Sequence, residues 1–185
     1  RTGVEQSRNL MTIRLAQEIG MATVSDYAEQ FGVYDDMPEL LSYALGAGET
    51  TLYQMVAAYA MFANGGRRIE PTVVDRVQGR RGDTIWRHDA QRCPACAVAS
   101  LEEVPNPMPS GNRIMDPITA YQVTSMLEGT TTQGTATRAF ADVPVPVAGK
   151  TGTTNEARDV WFVGFTSEIA AGCFVGFDEP TPLGR

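Results

Sequence analysis

Lys150 is the only lysine in the chain, against fourteen arginines. The contrast matters chemically, because arginine stays protonated at any working pH whereas a desolvated lysine can release its proton and join in proton transfer. Lys150 lies in Ala148-Gly149-Lys150-Thr151-Gly152-Thr153-Thr154, just ahead of two strongly apolar strand-like runs. The same residues end the phosphate-loop pattern GxxxxGK[ST], which would imply nucleotide binding. Pro144 stands where that pattern needs its first glycine, and a strand rather than a helix follows the lysine, so no helix N-terminus is there to receive a phosphate. A second polar triplet, Ser7-Arg8-Asn9, precedes a helical pattern. Taken alone it reads as an ordinary helix cap.

Composition narrows the function classes. A chain of 185 residues with 43% apolar content can bury one respectable core. Its formal charge of −7 argues against a nucleic-acid surface, since nothing would release counterions from a phosphate backbone. No apolar run is long enough to span a bilayer, so a membrane anchor would have to lie outside these residues. Cys93 and Cys96 form one CxxC among prolines. With a single histidine, His88, and no second cysteine pair, a structural zinc is poorly supported. A short-loop disulfide is the favoured reading of the pair, with two unpaired surface thiols as the alternative. Cys173 reads as a small core residue and His88 as solvent-facing, with no assigned role.

Several elements must position these side chains. Apolar spacing predicts a helix from Leu10 to Ile19, stopped by Gly20. Ser25 is expected to cap a short helix ending at Gly32, and Pro38 to Gly48 reads as an apolar loop. Thr50 and Thr51 open a helix with Leu52, Met55, Val56, Tyr59, Phe62 and Ala63 expected inside. Ile69–Val77 and Thr84–Trp86 flank a polar turn and predict a hairpin. Residues 88 to 113 read as a long surface excursion. Asp116-Pro117 starts another helix, expected to end near Gly129 and to give way to an irregular Thr130–Thr135 run. Val147–Thr154, Val160–Thr166 and Ile169–Phe177 predict an antiparallel meander, apolar on both faces and so covered by helices on both sides.

Lys-Thr-Gly on a strand, with Ser-x-Asn before a helix, are two of the three elements of penicillin-recognising serine enzymes. Leu45-Gly46-Ala47-Gly48-Glu49-Thr50-Thr51, Tyr59-Ala60-Met61-Phe62-Ala63-Asn64-Gly65-Gly66, Ala120-Tyr121-Gln122 and Asp159-Val160-Trp161-Phe162-Val163-Gly164-Phe165 extend the likeness over nearly the whole chain. In these stretches the chain resembles the transpeptidase domain of class A penicillin-binding proteins, the bifunctional peptidoglycan synthases. The resemblance implies an α/β (α+β) fold with an antiparallel sheet between helical layers, and residues 1–185 as the C-terminal portion of that domain. It implies that Lys150 and Ser7 assist proton transfer at the scissile amide while Asn9 orients the substrate amide. Thr151, Gly152, Thr153 and Thr154 would bind the substrate, with Thr151 and Thr153 offering hydroxyls to the terminal carboxylate of a D-alanyl-D-alanine stem peptide or a β-lactam. The backbone N–H of Thr153 would be half of the oxyanion hole, and Gly152 would let the substrate lie close to the strand. No metal or organic cofactor is implied.

The third element, Ser-x-x-Lys, is absent from these residues: Val147 stands three residues before the only lysine. Against the family pattern the acylating serine is expected upstream, in an N-terminal half of the domain, and a closing helix is expected beyond Arg185. The chain alone is therefore expected to be inactive, its partners being that missing half, the stem peptide and β-lactams at the periplasmic face of a bacterial inner membrane. Two relatives are weighed against the transpeptidase. A class A β-lactamase needs a deacylating glutamate, and Met37-Pro38-Glu39-Leu40-Leu41 places methionine and leucine where that motif needs glutamate and asparagine. A non-enzymatic β-lactam sensor would share the cleft without turnover.

Overall fold

The computed structural model describes residues 1–88, 111–179 and 181–184. Cys93, Cys96 and most of the predicted surface excursion lie outside the described residues. Two compact units are present, one of residues Arg1–Ile69 with Arg113–Arg185 and one of Glu70–Asn112.

The first unit opens with α1 (Thr2–Glu5) and α2 (Asn9–Ile19). Gly20, at φ 84°, ends α2 and redirects the chain straight into α3 (Met21–Gln30), a turn that L side chains rarely tolerate. Ser25 is therefore not a cap. It is buried inside α3, and its hydroxyl donates to the Met37 carbonyl at 2.9 Å, tying the helix to the loop that follows. A 3-10 turn, Leu41–Leu45, occupies the predicted apolar loop.

Thr51 caps α4 (Leu52–Ala63) through a reciprocal capping box with Gln54, worth about 1 kcal/mol. Ala57, Ala58 and Met61 form its most buried line, and Met61 packs with Phe31 and Ala58. Ala63, expected inside, is exposed, because it occupies the last turn beyond that cluster.

Asp116 caps α5 (Pro117–Thr132) by accepting from the Ile118 and Thr119 amides at 2.8 and 3.3 Å. The helix does not stop at Gly129. Thr131 Oγ1 donates to the Val147 carbonyl at 2.6 Å, so the last turn is fastened to the start of the sheet and stays helical.

The predicted meander is present as β3 (Ala148–Thr153), β4 (Val160–Phe165) and β5 (Ala170–Val175), antiparallel in the order β3-β4-β5. Ala148 faces Phe165 and Lys150 faces Val163. On this side Ala148 and Phe165 close a core with Leu127 of α5, Tyr59 and Phe62 of α4 and Val4 of α1. Gly172 lets α4 approach, since a Cβ there would press on Leu52 and Val56. On the other side Phe140 packs against Phe162, with ring centroids 4.8 Å apart and planes tilted by 37°. Cys173 pairs with Phe162 and shares that second side, and it is exposed rather than a core residue because α4 covers only the opposite side. Among the described residues that second side carries no helix of the kind covering the first.

The second unit contains a hairpin of β1 (Arg76–Gln78) and β2 (Thr84–Arg87) around the Gly79–Asp83 turn. Its first strand is shorter than the sequence predicts, and all residues of both strands are exposed. His88 is exposed beside Trp86.

Candidate active site

Lys150 sits in the middle of β3, the edge strand of the sheet. Strand alternation places its side chain on the face covered by α1, α4 and α5, while Thr151 and Thr153 project to the other face. The lysine thus reaches the end of α1. Its Nζ donates to Ser7 Oγ at 2.9 Å and to the Thr151 carbonyl at 2.8 Å. Partial burial holds the ammonium below the usual lysine range, since a desolvated charge favours its neutral form.

Ser7 is presented by an unusual turn. Its φ is +50°, in the left-handed region that a non-glycine residue enters only when its surroundings hold it there. The Arg8 amide donates to the Gly3 carbonyl at 2.9 Å, closing the loop behind Ser7, and Asn9 then begins α2 as an exposed residue. Ser7 and Lys150, 143 residues apart in sequence, are brought into contact beside β3, and Asn9 follows Ser7 by two residues at the start of α2.

The backbone of β3 completes the geometry. The Thr154 amide donates to the Asp159 carbonyl at 3.1 Å, so the 154/159 pair is hydrogen-bonded towards β4. Antiparallel pairing alternates, which turns the N–H and C=O groups of Thr153 and Thr151 to the opposite edge, unpaired by any strand among the described residues. An extended peptide could add to that edge, with the Thr153 N–H directed at it. Gly152 lies opposite Trp161, and a Cβ there would come within 3.3 Å of Trp161 Cβ, so the glycine lets that side chain pack close on the strand next to Lys150. Thr154 is turned back into the sheet end: its Oγ1 accepts from the Asp159 amide at 2.8 Å.

One member of this constellation has no counterpart in the sequence reading. Thr135 Oγ1 lies 2.7 Å from Thr151 Oγ1, so the Thr130–Thr135 run, read as irregular, supplies a hydroxyl beside the lysine strand. The available signal was its abundance of hydroxyls and Gly134 just before a strand carrying Lys-Thr-Gly. Cys93 and Cys96 fall outside the described residues, and their pairing has no structural account.

Residues 1–175 match the model of the penicillin binding protein transpeptidase domain. The chain belongs to that family. It is 41% identical over its whole length to penicillin-binding protein 1A of Rickettsia bellii, covering 24% of that protein. The corresponding protein of Pseudomonas aeruginosa is 33% identical, again over the whole chain, with 26% of its own length covered. Among solved structures, penicillin-binding protein 1A from Haemophilus influenzae superposes with a TM-score of 0.81 at 27% identity, covering all of this chain and 31% of that one. The penicillin-binding protein PonA1 from Mycobacterium tuberculosis, solved in complex with penicillin V, shares the fold at a TM-score of 0.62 and 22% identity over 83% of this chain and 41% of that one. The chain therefore spans about a quarter of the curated relatives' length, and the mixed helix and antiparallel-sheet architecture is that of the transpeptidase domain.

Proposed function

We propose that these residues form the sheet-side half of a D,D-transpeptidase site that cross-links peptidoglycan stem peptides and is acylated by β-lactams. The observation that carries this reading is the Lys150–Ser7 contact at the unpaired edge of β3, in a chain of the transpeptidase family.

A stem peptide ending in D-alanyl-D-alanine would lie antiparallel along the β3 edge. Its scissile carbonyl would point at the Thr153 N–H, one oxyanion donor of a kind worth roughly 3 kcal/mol in serine hydrolases. The terminal carboxylate would meet the hydroxyls of Thr151 and Thr153, with Lys150 adding favourable charge. The nucleophile is a serine in the part of the relatives' length that this chain does not cover. Its oxygen attacks the carbonyl, the amide C–N bond breaks, and the serine proton reaches the leaving D-alanine amine through the Lys150 and Ser7 pair. An acceptor amine then attacks the acyl ester, gives up its proton by the same route, and the serine is restored. Asn9 orients the substrate amide beside this relay.

No metal or organic cofactor enters these steps. Such a reaction belongs at the periplasmic face of a bacterial inner membrane, with the anchor supplied elsewhere in the parent, since no helix among the described residues is long and apolar enough to cross a membrane. The test is a denaturing intact-mass spectrum of the parent protein with and without a penicillin, followed by peptide mapping. One adduct on a serine outside residues 1–185 is expected. An adduct within them overturns the placement of the nucleophile, and no adduct overturns the function.

A further inference from the structure

Glu5 is a buried carboxylate two residues ahead of Ser7, and the Lys150 chemistry does not use it. It is 6% exposed, and it is held from several directions. Its Oε1 accepts from Arg1 Nε at 2.7 Å and from Gln133 Nε2 at 3.0 Å. Its main-chain carbonyl accepts from the Thr135 amide at 3.1 Å. Gln6 then donates its side-chain amide to the Gln133 carbonyl at 3.0 Å, a second tie between the same two segments.

The neighbours of Glu5 are shaped to receive it. A Cβ on Gly129 would overlap the Glu5 carboxylate, and a Cβ on Gly134 would overlap its carbonyl oxygen. The end of α1 is therefore seated into the end of α5 by one residue, which touches α5 with its side chain and the following turn with its backbone. Both segments lead directly to the site. From Glu5 the chain turns through Gln6 to Ser7, whose Oγ receives Lys150, and from Gln133 it reaches Thr135, whose hydroxyl meets Thr151.

We propose that Glu5 is a positioning residue of the transpeptidase site, locking the Ser7 turn and the Thr135 turn in register with Lys150 and Thr151. The proposal rests on the transpeptidase reading above. A carboxylate suits the task because one oxygen accepts from both Arg1 and Gln133, and the strained Ser7 backbone needs neighbours that over-determine it.

The test uses the full-length parent and separates positioning from stability. Noncovalent penicillin affinity, limiting acylation rate and melting temperature are measured for wild type, Glu5→Ala, Glu5→Gln, Gln133→Ala and the remote core variant Met61→Ala. Misplacement of proton-transfer groups predicts that Glu5→Ala slows limiting acylation by about 10- to 100-fold while affinity changes little. Glu5→Gln, which keeps an accepting oxygen, should recover most of the rate, and Gln133→Ala should fall between the two. Met61→Ala should lower the melting temperature and leave the rate intact. If Glu5→Ala does not fold, the order wild type, Glu5→Gln, Gln133→Ala carries the test, and equal rates in all three overturn the role. Glu5→Ala acylating at the wild-type rate, or Met61→Ala losing as much rate as Glu5→Ala, overturns it too. Wild-type protein that never takes an adduct overturns the transpeptidase reading, a result distinct from either of these.

Discussion

Lys150 Nζ lies 2.9 Å from Ser7 Oγ, joining a residue near the start of the chain to the sheet close to its end. Because the same ammonium also donates to the Thr151 carbonyl, the lysine is held by its own strand on one side and by the α1–α2 turn on the other. A group held this way can pass a proton without first searching for its partner.

Lys150 should impose a pH dependence on acylation. Its neutral form is favoured by burial, so the rate should rise with pH through a limb centred below the ordinary lysine value of 10.5. Lys150→Arg cannot deprotonate and should lose about 100-fold or more across that range. Stopped-flow acylation as a function of pH checks this, and a limb centred at or above 10.5 would contradict the desolvated lysine. Stability carries the same signature. Between the folded value and 10.5 the unfolded chain binds more protons, so stability should rise with pH across that window and fall as pH drops through the folded value. Lys150→Met should remove that slope in pH-dependent denaturation.

Gly129→Ala should destabilise the protein, which is opposite to the usual outcome. Replacing glycine by alanine inside a helix ordinarily stabilises by up to about 1 kcal/mol. Here the new methyl would strike the Glu5 carboxylate, and overpacking of that kind costs about 1–3 kcal/mol. Denaturant midpoints should drop for Gly129→Ala and recover when Glu5→Ala is added, the coupling expected of residues in contact. A stabilised Gly129→Ala protein would mean that Glu5 does not occupy that space.

Thr135→Val keeps the shape of the side chain and removes the hydroxyl facing Thr151. One hydrogen bond of about 1 kcal/mol net predicts noncovalent penicillin affinity weakened by roughly fivefold, because Thr151 Oγ1 loses the partner that aims it. Calorimetric titration of an acylation-deficient parent would read this directly. Unchanged affinity would show that Thr151 is aimed by something else.

Thr51→Ala should cost about 1 kcal/mol by unmaking the capping box with Gln54 at the head of α4. Penicillin acylation should be unaffected below the melting transition, since this cap is remote in sequence and contacts from the Lys150 constellation.

Much of the scaffold was legible in the sequence because its signals are local. Thr51 with Gln54, Asp116 with Pro117, and Gly20 after an apolar helical pattern each act on their own element, and each is found doing so. The three apolar runs gave the meander for the same reason. The readings that failed depended on distant partners. Ser25 resembles a cap until Met37 supplies the acceptor that buries it inside α3. Gly129 resembles a helix stop until Glu5 fills the space where a side chain would be, and Val147 fastens the last turn. Cys173 reads as core until the sheet shows which of its sides α4 covers.

The same division holds at the site. By itself the sequence determined the family and the chemical groups, because a lone lysine in Lys-Thr-Gly and a serine in Ser-x-Asn are recognisable as residue types at short spacing. Only the tertiary structure decided that Ser7 meets Lys150, that Thr135 meets Thr151, and that Glu5 binds the two turns together. Those are contacts between segments more than a hundred residues apart or across different elements, and they arise when α1 and α5 pack on one face of the sheet, a result that no local pattern of side chains encodes.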